Sequence, residues 1–336
     1  MRGTADVKFW AGVAVSAFFM VLLFRKIDYN QLVAALGSVN YAYVAAAVGL
    51  TFISYFLRSV RWHFLLITVK PISLCSLYPA TIIGYMANNL LPARLGEFVR
   101  AYVLAKKEGL ETPAVFASLV IDRLFDGFTV LMMLLITLFT LRLPSVMSDA
   151  ETALRMGGLV TFLLYCVVLL FLYMLRHNTS ATLDFATRLM KPLPLTIKAK
   201  LLGLLGSFIA GIRISSRWRH IAAILGSSVL VWFFALLPVD MVLQGFGIRL
   251  PISASMFILV LLVFAVMVPA SPGFIGTYHY ACYKGLSAFG ISDSLSVSIA
   301  LIIHAVSFFP VIVAGLYYLW KDGISLGAVS MVRGDR

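Results

Sequence analysis

Apolar runs approaching 20 residues recur along this chain, and they are continuous instead of alternating; "FWAGVAVSAFFMVLLF" at 9–24 is the first. Runs of that length match the hydrocarbon thickness of a bilayer. Lipid offers backbone N–H and C=O groups no partners, so each span must satisfy them internally, and the unbroken apolar pattern predicts helices and not barrel strands. A mean hydropathy of +0.98 with only 12% charged residues excludes an ordinary soluble domain. The predicted fold class is an all-α polytopic membrane protein with a single transmembrane domain over 1–336.

Clear spans are predicted near 8–24, 41–57, 113–140, 157–175, 221–243 and 296–319, about six in all. The first follows Arg2 and Lys8 as a signal peptide would, but "FRKIDYN" after it lacks a small-residue cleavage site, so it reads as a retained span. Two further apolar regions are broken. In 74–108 the run stops at Pro92 within "NNLLPARLGEFVRAY", and 253–290 is interrupted by "VPASPGFIGTYHY". Proline and glycine stop helices, so both regions are predicted to be re-entrant or broken helical hairpins, with tips at Pro92 and Gly96 and at Pro269, Pro272, Gly273 and Gly276.

The formal charge of +13 invites a nucleic-acid reading, yet no segment is large enough for a nucleic-acid-binding domain. The basic residues instead flank spans, and eight of the 27 Lys and Arg residues fall in 176–220 against one acid, Asp184. That is the pattern of cytoplasmic loops facing anionic lipid. With both termini and 176–220 cytoplasmic, and each broken region entering and leaving on one side, 20 Lys and Arg residues lie inside and 5 outside, with Arg123 and Lys284 at membrane depth. Within 176–220, Leu201, Leu205, Phe208 and Ile212 form one stripe, predicting an amphipathic interfacial helix about 195–213 that lies on anionic lipid or docks a cytoplasmic partner.

The halves echo each other. "PARLG" and "PASPG" share P-A-x-x-G at an offset of 177, and spans begin at 41 and 221. With the charge-derived topology, units of about 41–140 and 221–320 run in opposite directions, which makes an inverted repeat of the kind found in transporters.

A hairpin tip inside the membrane exposes a helix N-terminus, which favours an anion. Arg94 and Arg100 strengthen that field and suit phosphate, with Glu97 holding one of them or taking up a proton or cationic head group. Asn88 and Asn89 are costly at depth unless they meet polar partners or line a cavity. Asp122 and Asp126, one helical turn apart beside Arg123, predict a buried ion-pair network that contacts Arg94 or Arg100, either as part of a site or only as a lock between helices. On the second hairpin, Tyr278 and His279 are candidates to face the same head group, while His304 and Asp240 read as structural. Motifs for nucleophilic, metal or nucleotide chemistry are absent, Cys75, Cys166 and Cys282 stand far apart, and neither metal nor cofactor is expected.

Taken in order and at these separations, "NNLLPARLGEFVRAY", "VIDRLFDG" and "VPASPGFIGTYH" resemble the flippase-like family of integral membrane proteins that includes the transmembrane region of lysylphosphatidylglycerol synthases. The resemblance extends from about 10 to 320. It implies two re-entrant hairpins in an inverted repeat and movement of a lipid with a charged head group between leaflets. It places Arg94, Glu97, Arg100, Asp122, Arg123 and Asp126 at the polar positions of a central cavity. Many members carry Glu where this chain has His279, and the soluble aminoacyl-transferase domain of the bifunctional synthases has no counterpart here. The expectation is a non-enzymatic lipid translocase in the inner membrane of a prokaryote. Its partners are membrane lipids and, in the alternative reading, a separate lipid-modifying enzyme or glycosyltransferase to which it presents a polyisoprenyl-phosphate or glycolipid. A small organic-anion transporter is the third reading.

Overall fold

In the computed structural model, residues 29–91, 95–141, 217–268 and 271–323 are described continuously, together with parts of 14–21, 156–170 and 184–188, the segment 195–211 and Ser215. Pro92, Arg94 and Pro269, most of the span expected at 8–24 and nearly half of that expected at 157–175 lie outside the described residues. The described elements are helices, without strands. They are α1 (Tyr29–Ser38), α2 (Tyr41–Leu66), α3 (Leu74–Leu90), α4 (Gly96–Glu108), α5 (Thr112–Thr140), α6 (Leu195–Gly211), α7 (Trp218–Gly245), α8 (Ile252–Met267), a single 3-10 turn (Pro272–Phe274), α9 (Thr277–Ser287) and α10 (Asp293–Lys321).

Local chemistry sets several of these boundaries. Asn40 caps α2 by accepting from the Ala42 N–H, and Ser73 caps α3 by accepting from the Cys75 N–H. A proline in the first turn starts α5, and α4 ends at Gly109 with φ 65°, the left-handed conformation that closes helices. Around the 3-10 turn, Gly273, Phe274 and Gly276 all have positive φ, at 77°, 56° and 95°, and the chain reverses there.

Two boundaries correct the sequence reading. The span expected to end at 57 continues as α2 to Leu66, so Arg58 and Arg61 belong to a helix and not to a cytoplasmic loop. Their guanidiniums neutralise Asp122 and Asp126, which makes the extra turns tolerable among apolar neighbours. The span expected at 221 begins at Trp218, which moves the offset between the halves to 177. Among the described residues, three helices, α2, α7 and α10, are long and apolar enough to cross a membrane. Helix α5 is as long as α10, at 29 residues, but carries Asp122, Arg123 and Asp126.

The series α2 to α5 has lengths of 26, 17, 13 and 29 residues, and α7 to α10 has 28, 16, 11 and 29. Packing follows the same order. Helix α2 lies along α7; α3 packs on α4 and α8 on α9; α3 also packs on α10, and α8 on α5. One apolar core joins Trp62, Leu77, Val99, Leu104 and Val115 in the first series, and another joins Val242, Ile258, Cys282 and Ile299 in the second. Helix α6 packs along α5, with Gly211 seated on the Ala114 backbone, and Leu201 and Leu204 remain exposed. Of the stripe expected on it, the Phe208 side chain and Ile212 lie outside the described residues.

Candidate functional site

The polar centre is built on α5. Asp122 and Asp126, a turn apart on its buried face, meet Arg58 and Arg61 of α2, which are themselves a turn apart. Arg61 reaches both acids, through Nε to Asp122 Oδ1 at 2.7 Å and through Nη2 to Asp126 Oδ1 at 2.8 Å. Arg58 Nη1 donates to Asp126 Oδ2 at 2.8 Å. Helix α7 closes this side: Trp232 Nε1 donates to Asp126 Oδ1 at 3.1 Å, and Ser228 Oγ accepts from Arg61 Nη1 at 3.3 Å. Arg61 and Asp122 are fully buried, a position that ionised groups occupy only when paired.

The first hairpin brings Arg100 to the same acids. Its arms cross at Gly84 and Gly96, where backbone meets backbone: a Cβ on Gly96 would collide with the Gly84 carbonyl, and one on Gly84 would stand 2.7 Å from Arg100 Cβ. Asn88 ties the crossing together, accepting from the Gly96 N–H at 2.8 Å and donating to Glu97 Oε1 at 3.2 Å. Arg100 Nη1 then donates to Asp122 Oδ2 at 3.1 Å, with its guanidinium 3.9 Å from the centre of the Trp62 ring. Glu97 faces Arg123 at 3.8 Å, so its nearest guanidinium among the described residues is not the hairpin arginine anticipated from the sequence.

Arg123 is the wetter member, its side chain 34% exposed. It contacts Asp126 at 3.1 Å and Asp122 at 3.5 Å, and donates to the Tyr85 hydroxyl at 2.8 Å. Among the described residues, four guanidiniums thus surround three carboxylates. Both oxygens of each aspartate accept hydrogen bonds, while Arg100 Nε, Arg100 Nη2 and Arg123 Nε are buried without hydrogen-bond partners. The centre holds surplus donors and surplus positive charge, which is the chemistry of an anion site.

Arg58, Arg61, Tyr85 and Trp232 were missed in the sequence reading. The signal for the two arginines was present: an i,i+3 Arg pair in "FLRSVRWHF" matches the i,i+4 acid pair of "IDRLFDG", and buried charges demand such matches. Asn89 is half-buried and lies outside the hydrogen-bonded set.

Tyr278 and His279 come to a second cluster instead. The rings of His279 and His304 are 4.6 Å apart, Tyr278 lies 5.1 Å from His304, and His304 Nε2 donates to the Gly273 carbonyl at 2.8 Å. His304, read as structural from the sequence, is therefore the partner of His279. Tyrosines extend the first cluster: Arg123 holds Tyr85, and Tyr85 lies 4.8 Å from Tyr55. Asp240 is occupied by Gln244 and Ser255.

A family model described as the lysylphosphatidylglycerol synthase TM region matches residues 9–315. The chain is 24% identical over 355 residues to "Glycosyltransferase AglD" of Haloferax volcanii, covering 97% of this chain but only 56% of that protein. It is 25% identical over 317 residues to a UPF0104 membrane protein of Methanothermobacter thermautotrophicus, covering 90% of this chain and 91% of that one. A second UPF0104 protein of the same organism is 23% identical over 312 residues. No solved structure matches. The family match takes in both hairpins, the buried ion-pair centre and the histidine cluster, and the chain is a membrane protein belonging to the lysylphosphatidylglycerol synthase TM region family.

Proposed function

We propose that this protein is a non-enzymatic lipid translocase that carries a phosphate-bearing head group between leaflets past the arginine centre while the lipid tails stay in the bilayer. The observation that carries the reading is Arg100. Its guanidinium is fixed by Asp122 and Trp62, yet Nε and Nη2 have no hydrogen-bond partner at 2% residue exposure. Leaving such donors unmet is costly, and a phosphate oxygen satisfies them. Arg58, Arg61 and the two aspartates form the foundation, while Arg123 and Glu97 form the more accessible edge at which a head group is met.

Read as an inverted repeat, α2–α5 and α7–α10 support the same function: the paired lengths, the packing of each hairpin on the long helix of the other series and the separation of 177 favour two related units, and the basic-residue topology sets them in opposite directions. In this reading the termini and the basic segment are cytoplasmic and the membrane is the inner membrane of a prokaryote. Moving Arg58, Arg61 and Arg100 from the inside tally to buried positions still leaves 17 basic residues inside against 5 outside.

The likeness to AglD, whose name denotes a glycosyltransferase, favours one second reading: presentation of a polyisoprenyl-phosphate or glycolipid to a glycosyltransferase. Proteoliposomes containing only this protein and a fluorescent phosphatidylglycerol separate the two. Accelerated access of the inner-leaflet probe to a membrane-impermeant quencher, lost in Arg100→Gln, is the expected result; no acceleration over protein-free vesicles overturns translocation.

A further inference from the structure

The second hairpin holds a charge device that the first does not. Helices α5 and α10 are both 29 residues long and their first and last residues are 181 positions apart, which sets Arg123 against His304. Where one half carries a permanent cation, the other carries an imidazole. His304 and His279 are in ring contact and 9% and 4% exposed.

The backbone of the turn fixes both tautomers. The Gly273 carbonyl can only accept, so His304 carries a proton on Nε2 and, when neutral, a lone pair on Nδ1. The Gly276 N–H can only donate, so at 3.4 Å it assigns the lone pair of His279 to Nδ1 and its proton to Nε2. A proton added to His304 Nδ1 leaves the bond to Gly273 intact. One added to His279 Nδ1 expels the Gly276 N–H. His304 is thus the imidazole that gains charge without dismantling the turn.

Among the described residues, no ion pair reaches the two imidazoles: the rings against His304 are Tyr278 of α9 and Phe308 of α10, Lys284 of α9 is exposed and lies over the Tyr280 and Tyr283 rings, and α8 contains no titratable residue. The 3-10 turn that bonds His304 packs on α3, the arm that bears Tyr85 and Asn88.

We propose that the His279–His304 pair is a proton-binding site serving the second hairpin as a switchable counterpart of Arg123. His304 Nδ1 takes a proton from water when an anionic phosphate head group stands beside the hairpin and returns it when the head group leaves. An imidazolium without a counter-anion in this apolar setting is costly, and a phosphate monoanion removes that cost. Proton uptake and lipid binding are therefore one linked event. The assignment of the phosphate rests on the translocase reading; the proton site does not.

Histidine-specific ¹⁵N labelling and solid-state NMR on the full chain in nanodiscs of phosphatidylglycerol or phosphatidylcholine tests this. His304 is expected to titrate with a midpoint at least about one pH unit higher in phosphatidylglycerol than in phosphatidylcholine, a difference that persists at about 1 M salt, where surface potential is screened. In His304→Gln the amide still donates to Gly273, so the fold should persist while that titration disappears. A difference that vanishes at about 1 M salt, or a pair that stays neutral down to pH 5 in both lipids, overturns the proposal. Lipid movement measured with the same protein in sealed proteoliposomes separates the two ideas: movement with a silent pair removes only the proton site, and a lipid-dependent titration without movement removes only translocation.

Discussion

Ser54 Oγ donates to the carbonyl of Val231 at 2.9 Å, and the two residues are 177 positions apart, the separation that carries Tyr41 of α2 onto Trp218 of α7. Residues related by a two-fold axis touch their own counterparts only where they lie on it. In the inverted repeat proposed above the two are counterparts, and the bond marks where its axis would run.

A small residue is needed at this contact between α2 and α7. Ser54 is 4% exposed and Val231 fully buried, so Ser54→Leu should force α2 and α7 apart and cost about 1 to 3 kcal/mol. Ser54→Ala should cost roughly 0.6 kcal/mol, the average for a hydrogen bond between membrane helices. Thermal unfolding in detergent should rank the two, and equal melting temperatures would contradict close packing at this point.

Removing Arg61 alone should be among the most damaging single changes. Arg61→Met leaves Asp122 and Asp126 short of their shared partner, and stranding a buried charge costs about 3 to 5 kcal/mol. Adding Asp122→Asn to Arg61→Met should restore part of the loss. Folded yield and melting temperature of the single and double variants read this directly; additive losses would show that the pair is not coupled.

Arginine geometry should matter more than charge at position 100. Arg100→Lys keeps the cation but loses the planar stack on Trp62 and the fork that reaches Asp122, so lipid movement should fall at least tenfold. Lys106→Ala, on the exposed side of α4, should leave it within twofold. Initial rates of probe movement in proteoliposomes compare the two, and wild-type activity in Arg100→Lys would dismiss the phosphate contact.

The C-terminal ends of α4 and α10 meet at one surface. Lys107 Nζ contacts Asp322 Oδ2 at 2.8 Å, so both must lie on one side of the membrane. Single cysteines at 107 and 322 should label with an impermeant maleimide only from the cytoplasmic face, and one at 249 only from the other. Labelling of 107 and 249 from the same side would invalidate the orientation derived from basic residues.

Helix content, both breaks and the acids of α5 were legible in the sequence because apolar length, proline, glycine and i,i+4 spacing are local signals. The true extent of α2 was not. A charge ends an apolar run in any window average, so Arg58 and Arg61 read as a loop until Asp122 and Asp126, more than 60 residues away, were placed against them. The crossing of Gly84 and Gly96 is likewise invisible locally, since each glycine is required by the backbone of the other arm. His304 looked structural for a related reason. Its nearest ring comes from another helix, and the glycine it bonds lies 31 positions earlier.

Each hairpin leans on the long helix of the opposite series, α3 on α10 and α8 on α5. The two halves are clasped like the fingers of two hands. Parting the halves as rigid shells would break the α3–α10 and α8–α5 contacts together, while α4 on α5 and α9 on α10 would stay packed within their own series. A side chain added at Gly315, whose Cβ would stand 2.5 Å from Met86 Cβ, therefore presses on a contact between the halves and not within one.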